Sequence, residues 1–105
     1  MATMIGLPKS AKPGDIVEVK LLLAHPMESG FRGDFDGNKI PRDIITEVRC
    51  LYLDELVFRA EFFPAVSANP FLGFTFRAVK SGSVTFTWTD MDGNESHEVR
   101  EITVE

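Results

Sequence analysis

The chain has 105 residues, enough for one domain with a core that needs no disulfide or metal to hold it. A net charge of −5, with no cluster of Lys and Arg, excludes a nucleic-acid surface. The single cysteine excludes an internal disulfide, and no apolar run approaches the roughly 20 residues of a membrane span. We therefore treat residues 1–105 as a single domain.

Alternation of apolar and polar residues with a period of two predicts β-strands along most of the chain. In the clearest case Val84, Phe86 and Trp88 alternate with three threonines. Similar alternation predicts further strands at 17–23, 47–52, 56–63, 72–78 and 98–104. About seven short antiparallel strands in about 100 residues are typical of an all-β, immunoglobulin-like β-sandwich.

Turn signals separate the predicted strands. They are KPGD at 12–15, KSGS at 80–83 and DMDGN at 90–94. LDEL at 53–56 is predicted to close a tight hairpin, although it lacks the usual glycine or asparagine. In the last strand the apolar phase shifts between Val99 and Ile102, which predicts a β-bulge.

Two similar stretches, DFDGN at 34–38 and DMDGN at 90–94, could form calcium loops, because each supplies oxygen ligands at positions one, three and five. The glycine, however, stands at position four, whereas the EF-hand pattern requires it at position six. Asp-Gly is also the ordinary tight-turn dipeptide. We interpret both stretches as turns.

His25, Met27 and Cys50 are residue types that bind copper in small β-sandwich proteins. A blue-copper site needs two histidines, a cysteine and a weak axial ligand. The spacing is wrong for this set, because no methionine follows the second histidine, His97. His25-Pro26 is also a reasonable strand end, since proline favours an extended predecessor and interrupts the ladder. A metal or redox protein using His25, Met27 and Cys50 stays the alternative hypothesis.

Cys50 is predicted to be buried and chemically inert. It takes an inward position between Val48 and Tyr52, and free cysteine is among the most buried residue types. A reactive thiol requires an exposed, electropositive environment, which these neighbours do not provide.

Four apolar residues interrupt the alternation of the predicted strands, and they are Leu22, Leu51, Leu53 and Val57. They occupy the register that charged neighbours such as Lys20 and Arg59 mark as outward. Since a contiguous exposed apolar patch usually marks an interaction site, we predict a partner interface on the sheet face that carries them. The alternative is that bulges or loop cover bury them inside the same chain.

Four segments, taken together, resemble the SoxZ family, one subunit of the SoxYZ sulfur-carrier heterodimer in bacterial thiosulfate oxidation. They are AHPMESG at 24–30, IPRDII at 40–45, PAVSANPF at 64–71 and SGSVTFTWTDMDG at 81–93. Their order and spacing match, and the resemblance runs from about Leu7 to Val104. It departs at the 53–56 turn, where relatives tend to carry a glycine.

The resemblance implies an immunoglobulin-like sandwich that has no catalytic role and no cofactor. In the family, sulfur is carried on a cysteine in a C-terminal arm of the partner SoxY, so Cys50 is not assigned that chemistry. The implied partners are SoxY, in a heterodimer, and transiently SoxXA, SoxB and SoxCD, with neither nucleic acid nor membrane. We expect the loops to make these contacts through His25, Met27, Glu28, Val66, Ser67 and Asn69. A simple adhesion module is a third, weaker possibility.

The sequence and the resemblance predict different compartments. The N-terminus MATMIGLPKS lacks the apolar stretch of a secretory signal, which taken alone predicts the cytoplasm. The resemblance implies the periplasm, reached without a signal sequence of its own by export together with SoxY. We expect the periplasm, since a passenger of this kind needs no signal.

Overall fold

Eight β-strands form two packed sheets in a computed structural model, which describes residues 3–105. The strands are β1 (Thr3–Gly6), β2 (Ser10–Ala11), β3 (Ile16–Leu23), β4 (Ile45–Tyr52), β5 (Glu55–Glu61), β6 (Phe71–Arg77), β7 (Gly82–Asp90) and β8 (Glu95–Val104). The smaller sheet has the order β1-β3-β6 and the larger sheet the order β2-β8-β7-β4-β5. The all-β, immunoglobulin-like sandwich is therefore confirmed, with two short strands, β1 and β2, that the alternation did not predict.

The described part of the chain contains no helix long and apolar enough to cross a membrane.

The core lies between the two sheets and is formed by the alternate residues that each strand turns inward. Its principal members are Val17, Val19, Leu21 and Leu23 from β3, Val48, Cys50 and Tyr52 from β4, and Val84, Phe86 and Trp88 from β7. Two aromatic contacts join the sheets at their sides. Phe58 stacks on Phe74 with ring centroids 4.2 Å apart, and Tyr52 packs on Phe76 at 4.6 Å. Such pairs stabilise beyond the area that they bury.

Strand β8 follows β7 without a break in register, from the pair Gly82–Ile102 to the pair Thr89–Glu95. The predicted bulge between Val99 and Ile102 is therefore wrong. Val99 points outward and is 52% exposed. The prediction failed because the inward positions in the first half of β8 are polar, so the apolar pattern suggested the wrong face. These half-buried polar positions are Ser96, Glu98 and Arg100.

The β4–β5 hairpin closes through a two-residue turn, as the sequence predicted. Leu53 and Asp54 have φ values of 54° and 63°, and Tyr52 pairs with Glu55 across the turn. Positive φ at both central residues is the type I′ geometry that matches strand twist. The Leu53 side chain lies over Gly82, where an added Cβ would stand 2.3 Å from Leu53 Cδ2. Glycine at position 82 thus leaves room for the Leu53 side chain to pack over β7, and a larger residue there would displace the end of that side chain.

We predict that Asp54→Gly stabilises the chain by about 0.5–1 kcal/mol, because glycine adopts a left-handed conformation without steric cost. Chemical denaturation of the two proteins measures the difference. Glu55→Gly is the control, since Glu55 lies in a strand where glycine brings only its entropic cost of about 0.5–1 kcal/mol. Equal destabilisation by both substitutions would contradict the turn geometry.

Candidate functional site

Two loops that are distant in sequence are joined by reciprocal hydrogen bonds. The His25 N–H donates to Asn69 Oδ1 at 3.1 Å, and the Asn69 N–H donates to the His25 carbonyl at 2.7 Å. Asn69 has a φ of 53°, a left-handed conformation that asparagine tolerates better than most residues. Beside this pair, the Leu23 N–H donates to the Pro70 carbonyl. The segments 24–30 and 64–70 therefore form one surface, which we call the loop clasp.

The His25 side chain is only 7% exposed and is engaged inside the loop clasp. Its Nδ1 accepts a hydrogen bond from the Met27 N–H at 3.0 Å, and its Nε2 lies 3.5 Å from Asp43 Oδ1. The sulfur of Met27, which is also buried, accepts from the Ile45 N–H at 3.3 Å. The His25 Nδ1 and the Met27 sulfur are therefore already used by the backbone, and the remaining ring nitrogen, Nε2, faces the Asp43 carboxylate.

The six predicted contact residues divide by exposure. His25 and Met27 are buried, so they hold the loop in shape and are not contact residues in this conformation. Glu28 and Val66 are half-buried, whereas Ser67 and Asn69 are exposed. A hydrogen bond from Arg32 lowers the pKa of Glu28, which keeps this carboxylate ionised at the rim of the surface.

Cys50 lies fully buried between the sheets, as the sequence predicted. Its strand neighbours are Phe58 on one side and Phe86 on the other. Burial raises the pKa of the Cys50 thiol to about 12. Because the thiolate is the nucleophile and the metal ligand, a protonated and inaccessible thiol is inert near neutral pH.

The two stretches considered as calcium loops are turns. Asp34 Oδ1 accepts hydrogen bonds at 2.9 Å from the N–H groups of Asp36 and Asn38, and Asp90 binds the backbone of Asn94 in the same way. Partial burial disfavours the charged form of Asp90, but the hydrogen bonds from Asn94 and Asp92 together outweigh it, so the pKa of Asp90 is lowered. Within residues 3–105, no group of three or more His, Cys, Asp and Glu side chains is placed to hold a metal ion.

The prediction of one apolar patch from Leu22, Leu51, Leu53 and Val57 is wrong. Leu22 lies in β3 of the smaller sheet, while the other three lie in the larger sheet. Leu53 and Val57 are half-buried and pack against the core. A register shift between Cys50 and Leu51 leaves Val57 without a partner in β4, so strand alternation does not give its direction. For Val57, therefore, the alternative hypothesis is correct: an irregularity in the strand pairing buries it partly inside its own chain.

The outer face of the larger sheet nevertheless carries an apolar row. Reading across four strands, Val99 pairs with Thr85, Thr85 with Leu51, and Leu51 with Leu56. Directly paired residues share a face of the sheet. Val99 and Leu56 are 52% and 54% exposed, and Leu51 is half-buried between its neighbours. We call these four residues the outer stripe; sequence analysis missed Leu56 and Val99, which pairing alone brings together.

An ion-pair network lies beside the outer stripe on the same face. Arg49 contacts Glu47 at 2.9 Å and Glu95 at 2.7 Å, and Arg59 contacts Glu47 at 2.8 Å and Glu61 at 2.6 Å. Exposed pairs of this kind contribute little to stability, about 0–1 kcal/mol each, but they fix the direction of the charges. The face therefore has an apolar part and an ordered charged part.

The fold and these sites define a small immunoglobulin-like sandwich whose cysteine and buried histidine serve the structure and whose outer faces carry exposed apolar residues. The family model of the sulphur oxidation protein SoxZ matches residues 5–101. The chain therefore belongs to the SoxZ family, and its role lies in the Sox system of sulfur oxidation. No curated protein sequence matches the chain.

Solved structures with the same fold include two kinds of protein. A superoxide reductase (neelaredoxin) from Ignicoccus hospitalis is 18% identical with a TM-score of 0.76, over 100% of this chain and 81% of that one. A putative superoxide reductase from Thermotoga maritima is 17% identical with a TM-score of 0.76, over 98% and 85%. The sulfur carrier protein SoxY from Chlorobium limicola f thiosulfatophilum is 18% identical with a TM-score of 0.70, over 100% and 80%. At these identities the likeness shows the fold alone.

We predict that Cys50 reacts slowly with a thiol reagent in the native chain and quickly once the chain is denatured. Cys50→Ala should lower the free energy of unfolding by about 1 kcal/mol, as a small core truncation does. In the unfolded chain the Cys50 thiol ionises near pH 9, whereas in the folded chain it stays protonated up to a pH of about 12. Between these two values ionisation favours the unfolded state, so the free energy of unfolding of the wild type should fall as the pH rises. Cys50→Ala should lack that loss. Rapid modification of folded protein at neutral pH would contradict the assignment.

We also predict that His25 and Met27 bind no metal as a pair, since the His25 Nδ1 and the Met27 sulfur accept backbone hydrogen bonds and no third ligand joins His25 and Asp43 among the described residues. Metal analysis of the purified chain after mild chelation should find no stoichiometric copper or zinc. His97→Gln is the matched control, because it removes the exposed histidine and leaves the loop clasp intact. Bound metal that survives chelation and disappears in His25→Ala would contradict this prediction.

Proposed function

We propose that the chain is the non-catalytic subunit of a SoxYZ sulfur-carrier complex. In this proposal it binds SoxY and helps to present the cysteine-bearing arm of SoxY to the thiosulfate-oxidising enzymes. The observation that carries the proposal is the match of the SoxZ family model to residues 5–101, nearly the whole chain.

The state of the chemically active side chains favours binding over redox or metal chemistry. Cys50 has a pKa of about 12 inside the core, the His25 Nδ1 and the Met27 sulfur accept backbone hydrogen bonds, and the His25 Nε2 faces Asp43. His97 lies on the outer face of the larger sheet, with its Nδ1 3.0 Å from Thr87 Oγ1. The redox alternative would need these groups to converge with free ligand atoms, and the buried ones are already engaged.

The shared fold of the chain and SoxY supports a paired arrangement of two sandwiches. Related folds that associate through equivalent faces do so about an approximate two-fold axis, as identical subunits do in isologous dimers. The outer face of the larger sheet offers a suitable surface, because the outer stripe is apolar and the Arg49 and Arg59 network beside it is ordered. Ordered charges at the side of an apolar patch set orientation and partner choice.

The contribution of the outer stripe to the free energy of SoxY binding can be estimated from the apolar surface that an interface there would bury. Each apolar side chain of the outer stripe that SoxY covers would contribute about 1.5–3 kcal/mol before the costs of association are subtracted. A stable pair should bury at least about 1,000 Å² in total. The outer stripe would supply the centre of such an interface, and the charged residues its rim.

The loop clasp is the surface that we assign to transient partners, namely SoxXA, SoxB and SoxCD. Its exposed residues Ser67 and Asn69 stand on a loop that is fixed through His25, so the surface is preformed. Preformed loops on a rigid scaffold commonly carry binding sites. The compartment that we propose is the periplasm, reached by export together with SoxY.

We predict that Leu56→Ser weakens SoxY binding by about tenfold or more, because a loss of about 1.4 kcal/mol of buried apolar contact is tenfold in affinity. Titration calorimetry of SoxY with each chain measures this, and the free energy of unfolding of the free chain should change by less than about 0.5 kcal/mol. Ile16→Ser is the control, since Ile16 is comparably exposed, at 60%, but lies in the smaller sheet.

Two results would contradict the proposal at different levels. Equal effects of Leu56→Ser and Ile16→Ser would show that SoxY binds elsewhere than the outer stripe. Absence of any binding between SoxY and the folded wild-type chain would contradict the proposed function itself.

A further inference from the structure

A two-stranded arm, residues 28–43, leaves the sandwich beside the loop clasp. At its base Glu28 and Asp43 exchange backbone hydrogen bonds of 2.8 and 2.9 Å, and near its tip Gly33 bridges to Lys39. The molecule measures 59 Å by 20 Å by 19 Å, whereas ten residues of β8 span only about 33 Å. Segments beyond the strands therefore extend the molecule, and the arm is the longest of them.

The tip of the arm presents one phenylalanine entirely to solvent. Phe35 has a relative exposure of 109%, the highest among the large apolar side chains that the structure describes. The turn that carries it is fixed, because Asp34 Oδ1 accepts the N–H groups of Asp36 and Asn38, and the Gly37 N–H donates to the Asp34 carbonyl. An exposed aromatic residue on a backbone turn that is held in shape loses little backbone freedom when it binds, as a preorganised contact residue does.

The outer face of the smaller sheet carries a complementary hollow. Met4, Leu22 and Phe71 form one row across β1, β3 and β6, and the next row is Gly6, Lys20 and Gly73. The two glycines add no side chain beside Lys20, which leaves an apolar hollow of about 260 Å³ between the rows. Met4 and Phe71 are 68% and 61% exposed, so this row has no cover within the described chain.

The tip and the hollow match in size, polarity and charge. Buried apolar cavities of about 150 Å³ hold a benzene molecule, so this more open hollow has room for the ring of Phe35. Phe35 is flanked by Asp34 and Asp36, and the hollow has Lys20 at its edge; the Lys20 Nζ lies 3.8 Å from Glu18 Oε1, a long contact that leaves the side chain 63% exposed. The Phe35 ring thus fits the apolar surface of the hollow, and the two flanking aspartates fit the lysine at its edge. Full exposure of Phe35 shows that the arm does not fill the hollow of its own chain.

We propose that two copies of this chain associate by exchanging arms, each inserting Phe35 into the Met4–Leu22–Phe71 hollow of the other. One two-fold axis satisfies both contacts at once, which is the usual way for identical chains to pair. The surface is distinct from the outer stripe, which lies on the larger sheet. If SoxY binds the outer stripe as proposed above, this association leaves that surface open, and two SoxY-bound chains would join through it as well.

Sedimentation equilibrium of the full chain over a wide concentration range tests the proposal. The wild type should shift from monomer towards dimer as concentration rises. Phe35→Ser and Leu22→Ser should each lower the association constant by about a hundredfold, since a two-fold pair loses two contacts of about tenfold each. An equimolar mixture of the two variants keeps one intact contact, so it should recover about tenfold over either variant alone.

Two controls separate this association from general stickiness and from misfolding. Phe63→Ser removes a phenylalanine that is 63% exposed outside both the arm and the hollow, and it should leave the association constant unchanged. Lys20→Glu and Asp36→Lys should each weaken association, and the double variant should restore it, because the swap reinstates the opposite charges. A wild type that stays monomeric throughout, equal effects of Phe35→Ser and Phe63→Ser, or failure of the charge swap would each overturn the proposal.

Discussion

The packing of β3 against β4 and β7 determines where every other side chain of this protein can act. Side chains along a strand point alternately to the two faces of the sheet, so the inward rows that contain Leu21, Cys50 and Phe86 are buried in the core. The same alternation turns the intervening residues outward, where the outer stripe and the ion pairs of Arg49 lie on one sheet and the hollow around Leu22 on the other. A thiol in the core and apolar rows on both outer faces fit a protein that works by contact.

At one end of the sandwich, in the loop clasp, polar groups are hydrogen-bonded within the chain. His25 and Asn69, 44 residues apart, satisfy each other's backbone groups, and His25 also fixes Met27 through its ring nitrogen. Buried polar atoms that lack partners would destabilise the fold, so a histidine enclosed here must be hydrogen-bonded to the chain. Residue types that suggest a metal site in the sequence are therefore accounted for as supports of the loop clasp and of the arm that begins beside it.

Period-two alternation predicted the main strands and the inward position of Cys50, and the LDEL stretch at 53–56 predicted the hairpin, because each depends on neighbouring residues. Features that depend on pairing between distant strands were not predicted. The polar inner positions of β8 made Val99 look like an inward residue, and a one-residue irregularity in β5 separated Val57 from Leu51. Leu22 was grouped with residues of the other sheet because a single sequence does not show which strands share a sheet. The resemblance to SoxZ, by contrast, was confirmed over residues 5–101.

The central claim is that this SoxZ-family chain contributes surfaces and no reacting group. Its most direct test is thiosulfate turnover by a reconstituted Sox system in which the chain carries Cys50→Ala, Met27→Leu and His97→Gln together. These changes remove the thiol, the thioether and the exposed imidazole while leaving the His25–Asn69 hydrogen bonds and the outer stripe in place. Turnover at the wild-type rate is the predicted result. Loss of turnover in a variant that still folds and still binds SoxY would contradict the account.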